Sequence, residues 1–213
     1  GYIIMKLLNK FKNLVSRVPK KVAVLFAVAM LSVGVLGVAK AEFYPNRPAY
    51  DYNKACNPND SDPYDRCGSL TGPVFNSFVN TPSYGDERAF VDARKSENTA
   101  AGSYNNVLND VTAGSKEIVV RMYVHNNANI GTNASGLGVA KNTKVRVALP
   151  TAESQVLRAR GYITADNASM VEDTVDFVGG QAFTVQYVPG SALIYNNGAL
   201  NGKKISDSVV TTG

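Results

Sequence analysis

Residues 116–125 read KEIVVRMYVH, and this alternation constrains the chain more than any other feature. Ile118, Val120, Met122 and Val124 fall on one side of an extended backbone, with Val119, Arg121, Tyr123 and His125 on the other. A period of two belongs to a strand with one face in a core, whereas a helix repeats its apolar residues every three or four positions. Residues 144–149 use the same device, setting Val145, Val147 and Leu149 against Lys144, Arg146 and Ala148 until Pro150 stops the ladder.

Further strands are predicted at 89–94, 156–165, 174–178, 183–188, 192–195 and 205–210. Between them stand turn signals at Asn126-Asn127, 131–138, Asp166-Asn167, Gly179-Gly180, Pro189-Gly190 and Asn196-Asn197-Gly198. Short strands with no amphipathic helix between them predict an all-β fold, an Ig-like antiparallel β-sandwich over 86–213, rather than a parallel α/β sheet. The strands at 116–125 and 143–149 are expected as core neighbours. The chain has no Trp, so the term describes architecture and not antibody ancestry.

The first 41 residues have a different composition. They carry Lys6, Lys10, Lys12, Arg17, Lys20, Lys21 and Lys40 and no acid. The stretch VAVLFAVAMLSVGVLGV at 22–38 is uncharged, and Ala39-Lys40-Ala41 supplies the small-x-small pattern of a signal-peptidase site before Glu42. The order of a basic segment, an apolar segment and a cleavage site predicts an N-terminal signal or anchor helix over 1–41. Met5 is then the expected start and residues 1–4 upstream read-through. A helix over 22–38 would be about 26 Å long, between a signal core and a full membrane span. Cleavage after Ala41 and retention as an anchor are both open, and either puts the rest of the chain outside.

The formal net charge of +5 lies in this leader, since residues 42–213 hold 15 basic and 17 acidic groups. Nucleic acid, which needs clustered Lys and Arg on the folded domain, is therefore set aside as a partner. The expected partners are the secretion machinery or membrane through the leader, then wall glycan or other surface proteins.

Residues 42–85 form a third zone. Pro45, Pro48, Pro58, Pro63, Pro73 and Pro82 fall here among many Asn, Asp and Ser, so no periodic element is expected. Phe43, Tyr44, Tyr50, Tyr52, Tyr64, Phe75 and Phe78 argue for an irregular arm that rests against the following domain. Cys56 and Cys67 are the only cysteines, and export places them where a disulfide persists. In NPNDSDPYDRCG, Asp60, Asp62 and Asp65 suit a hard cation such as calcium, or simply an Asx-rich turn.

Candidate chemistry is thin. His125 reads as a solvated histidine at a strand end. Asp173 and Asp176, with Glu172 beside them, could serve as paired carboxylates on a glycan or as a solubilising strand edge. Arg158, Arg160 and Tyr162 alternate outward on one strand, either as a surface for an acidic or sugar-containing partner or as an ordinary charged face. No phosphate cradle, zinc set or serine elbow is present, so neither cofactor nor catalysis is expected.

The runs VVRMYVHNNA, AKNTKVRVALP and FTVQYVPGSALIYNNG, separated by small-residue loops, resemble the "conserved repeat" domains of unknown function in bacterial surface proteins. The resemblance covers residues 86–213 and implies an Ig-like module of the cell surface or wall, with no catalytic residues to carry over. That family closes with a further long strand, so the resemblance also implies truncation at the C-terminal end. The expectation is an exported, non-catalytic structural or adhesive module. The alternative is a secreted carbohydrate-binding module or glycan-hydrolase accessory domain using Asp173, Asp176 and surface tyrosines.

Overall fold

The computed structural model describes residues 1–10, 47–52, 72–114, 117–129, 132 and 134–212. The apolar stretch, Ala39, Ala41 and Glu42, the Cys56–Cys67 pair, and Asp60, Asp62 and Asp65 all lie outside the described residues. Among those described there is no α-helix, and none is long and apolar enough to cross a membrane.

Ten strands make one mixed sheet: β1 (Tyr2–Lys10), β2 (Val91–Lys95), β3 (Val107–Leu108), β4 (Glu117–Tyr123), β5 (Lys144–Leu149), β6 (Ser154–Ala165), β7 (Ala168–Tyr187), β8 (Leu193–Tyr195), β9 (Lys203–Lys204) and β10 (Val210–Thr212). The order is β10-β5-β6-β7-β1-β4-β2, with β3 paired to β7 and β8 paired to β1 and β9. Most pairs are antiparallel, as expected, but β10–β5 and β3–β7 are parallel. The strands at 117–123 and 144–149 share the core without being neighbours, because β6, β7 and β1 stand between them.

Alternation sets the inward face as predicted, although Val119, placed on the opposite face, is buried too. Ile118, Val120 and Met122 of β4 are fully buried, as are Val147 of β5 and Ala159 and Ile163 of β6. Gly161, also on β6, marks a close approach: a β-carbon there would lie 2.4 Å from Val91 Cγ2 and 3.1 Å from Met122 Cε. Strands from distant parts of the path therefore meet across the core at this glycine.

The segments predicted at 174–178 and 183–188 are one continuous 20-residue strand, β7. Gly179-Gly180 makes no turn. Gly179 lacks a side chain because Thr112 Cγ2 packs where its β-carbon would sit, 2.4 Å away. Across this point the β6–β7 register shifts, the pairing running through Val178 and resuming at Phe183 opposite Ser154, and from Thr184 onward β7 pairs with β1. The strand predicted at 205–210 is instead a 3-10 turn, Asp207–Val209, leading into β10.

The first residues give the largest departure. Tyr2–Lys10, expected as read-through and basic leader, is a strand between β4 on one side and β8 and β7 on the other. Ile3, Met5 and Leu7 alternate into the core and Lys6 points outward to Glu117. The same residues that read as a basic leader have the period of a half-buried strand, and pairing on both edges satisfies their backbone.

The described part of the arm joins the same core. Tyr50 and Phe78 form a bridge, Phe75 and Phe78 are buried, and the Arg47 guanidinium donates to the carbonyls of Arg88 (2.7 Å) and Asn76 (2.6 Å).

Candidate functional site

The residue positions singled out for chemistry are used for structure. Asp173 and Asp176 are three apart on a strand and so lie on opposite faces, which prevents them from acting as a carboxylate pair. Nor are they a solubilising edge, since each is only 1% exposed. Asp173 faces the core and accepts the Val91 N–H of β2 at 2.7 Å. Burial pushes its carboxyl up to about 7 despite backbone N–H donors and nearby Arg47. Asp176 faces the other way and takes a two-pronged ion pair from Arg158, at 2.7 and 2.9 Å.

Arg160 pairs with Glu172 on the neighbouring strand at 2.6 Å. The expected surface of Arg158, Arg160 and Tyr162 is thus divided. Its two cations are neutralised by cross-strand acids, and Tyr162 belongs with a different arginine, Arg146, whose guanidinium lies 4.4 Å from the ring centroid.

His125 is not simply solvated. Its Nδ1 lies 2.7 Å from Oε1 of Glu87, a carboxylate with 0% side-chain exposure. Thr81 Oγ1 donates to the same oxygen at 2.6 Å, and Asn127 Nδ2 donates to Oε2 at 2.9 Å. Burial pushes the Glu87 carboxyl up, but the hydrogen bonds from His125, Thr81 and Asn127 outweigh it and hold it below the usual range. Beside them, buried Asn76 at φ 46° donates to the carbonyls of Glu87 and Tyr123 and accepts from His125 N–H. This cluster locks the arm to the end of β4. Sequence gave no warning of Glu87 or Asn76, because their burial depends on partners tens of residues away.

Tyr84 and Tyr123 are near coplanar, with centroids 4.2 Å apart and planes at 22°, but they stack on each other. Tyr2, Tyr104 and Arg121 crowd around them, and Arg121 also forms an ion pair with Asp92. The rings form a packed layer rather than an open platform.

Among the described residues, a cleft of about 800 Å³ lies open where β5, β6 and the start of β7 face β1 and β8. Val145, Tyr162, Met170, Ile194 and Ile205 line it, with Arg146 at its side. Met170 is 59% exposed, which is unusual for a large apolar residue and marks the cleft as a place where contact would remove apolar surface from water. Among the described residues no group of three or more His, Cys, Asp or Glu could hold a metal ion.

The described residues define an all-β chain built on an open mixed sheet. Comparison with protein-family models, curated proteins and solved structures finds no match.

Proposed function

We propose that this chain is an exported, non-catalytic module of the cell surface, an Ig-like sandwich that works by holding other molecules. One observation carries the reading. The side chains best equipped for chemistry, Glu87, His125, Asp173 and Asp176, are each engaged in joining separate elements, whereas the β5–β6–β7 wall of the open cleft, which lies within residues 42–213, presents Val145, Tyr162 and Met170. Recognition by removal of apolar surface, with Arg146 and Tyr162 orienting a partner at the side, fits that division. The leader over 1–41 and the resemblance of 86–213 to surface repeat domains support the location outside the cell.

A carbohydrate ligand is the second reading, favoured by the Tyr162 ring along the cleft with Arg146 beside it. Fractionation of cells expressing the full chain tests the location: it is expected outside the cytoplasm, beginning at residue 42. Tyr162→Ala together with Met170→Lys is expected to weaken attachment to isolated cell walls without lowering stability. Recovery from the cytosol, or turnover of glycans, peptides or esters by the purified protein, would overturn the proposal.

A further inference from the structure

The strand β1 and the export leader are made of the same residues, and the two roles exclude one another. Residues 1–10 include the start of the basic segment, Lys6 and Lys10, and precede the apolar stretch at 22–38. If the leader is cut after Ala41, they are severed from the domain; if it stays as an anchor, positive charge holds them on the cytoplasmic side. In both cases the exported domain has lost the strand that occupies the middle of its sheet.

The vacancy this creates has a definite shape. In the path of the sheet, β1 is the strand that joins β4 and β2 to β7. Val124 N–H donates to Gly1 O, whereas Tyr123 N–H donates to Phe90 O on the opposite side. By alternation, the amides of Ile118, Val120 and Met122 face β1. On the other edge Val188 N–H donates to Lys6 O, so Thr184 and Gln186 face β1 as well. Without β1, two rows of backbone donors and acceptors lose their partners, and the core loses Ile3, Met5 and Leu7. Such an edge-lined apolar slot takes up an extended segment readily.

We infer that the slot between β4 and the β7–β8 edge is a strand-acceptor site, filled after export by an extended segment of a second polypeptide. The inference rests on the export reading proposed above. The seated β1 specifies the occupant: an antiparallel partner for β4 with large apolar side chains at three alternate positions. A cation at the position of Lys6 would meet Glu117, which Lys6 approaches to 3.3 Å. Within residues 42–213 the alternating runs that could serve are already β4, β5, β6 and β7, and residues 42–46 and 53–71 contain no such run. The donor therefore comes from another chain.

The test uses the full chain expressed with its leader and recovered from the exported fraction, with the synthetic peptide GYIIMKLLNK as probe. The control is the same peptide carrying Met5→Lys and Leu7→Lys. Addition of the first peptide should slow amide exchange at Ile118, Val120, Met122, Thr184 and Gln186 by at least about tenfold, and the control should not. An exported chain that is unfolded alone and folds only with the first peptide gives the same support. Equal effects of the two peptides, or no effect of either, would overturn the inference. Terminal sequencing separates the two levels. A chain that begins at residue 42, has no second polypeptide bound and yet has those amides already protected overturns the inference alone, whereas an exported chain still carrying residues 1–10 within its fold overturns the export reading with it.

Discussion

Glu87 Oε1 and His125 Nδ1 lie 2.7 Å apart, the carboxylate in the core and the imidazole 37% open to solvent. Thr81 and Asn127 complete the shell around Glu87, so each carboxylate oxygen has a partner. Breaking such a buried cluster on one side strands the remaining donors, which costs more than an isolated hydrogen bond contributes.

Glu87→Gln places an amide N–H₂ where a donor already points, and is expected to lower stability by about 2 kcal/mol. The pH dependence has a definite sign. The folded-state pKa of Glu87 lies below its unfolded value, so its stabilisation is complete above the unfolded value and is lost as pH falls through the folded one. Urea unfolding between pH 2 and pH 7 should therefore show a shallower acid limb in the variant. An unchanged midpoint at neutral pH would show that the cluster does not hold the arm.

Asp173 has the opposite sign. Its pKa rises from 3.8 to about 7 on folding, so the folded state binds the extra proton and stability falls as pH climbs through that interval. A rise of that size corresponds to something on the order of 4 kcal/mol. Asp173→Asn keeps an acceptor for Val91 N–H without the charge, and should flatten the profile between about pH 4 and 7 while holding or raising stability at pH 8. A variant that is less stable at pH 8, with its profile unflattened, would argue that ionised Asp173 is held favourably.

Gly161→Ala should cost about 1–3 kcal/mol, because the added methyl meets Val91 and Met122 across a filled core. Val91→Ala makes room for it, so the double variant should be more stable than the sum of the two single changes implies. Strict additivity in thermal unfolding would mean that the two strands do not meet at this point.

Arg158→Ala and Arg160→Ala look alike in sequence but differ in the folded chain. The first strands the buried Asp176 carboxylate and should cost about 2–3 kcal/mol. The second removes a half-exposed partner of Glu172 and should cost less than about 1 kcal/mol. Equal effects in denaturant melts would contradict the geometry.

These cases mark where the sequence is legible. Alternation places β4, β5 and β6 and their inward residues, because one buried face imposes a period that local residues display. Gly179-Gly180 misleads because glycine marks close approach as well as turns, and here Thr112 is the cause. Residues 1–10 satisfy two patterns at once, with Lys6 and Lys10 resembling a leader and Ile3, Met5 and Leu7 a strand. Glu87 could not be foreseen as buried, since its partners at 81, 125 and 127 converge only when the chain is folded. The cleft is built the same way, from β5, β6, β7, β1 and β8, and no short window displays it.

The pairing of β1 also sets an order of events during synthesis. Its residues lie far upstream of their partners, since β4 begins at Glu117 and β8 ends at Tyr195. The β6–β7 hairpin closes through a short turn and can form early, while β1 must wait for contacts across more than half the chain. Until β4, β7 and β8 have been made, residues 2–10 have none of the strands they pair with.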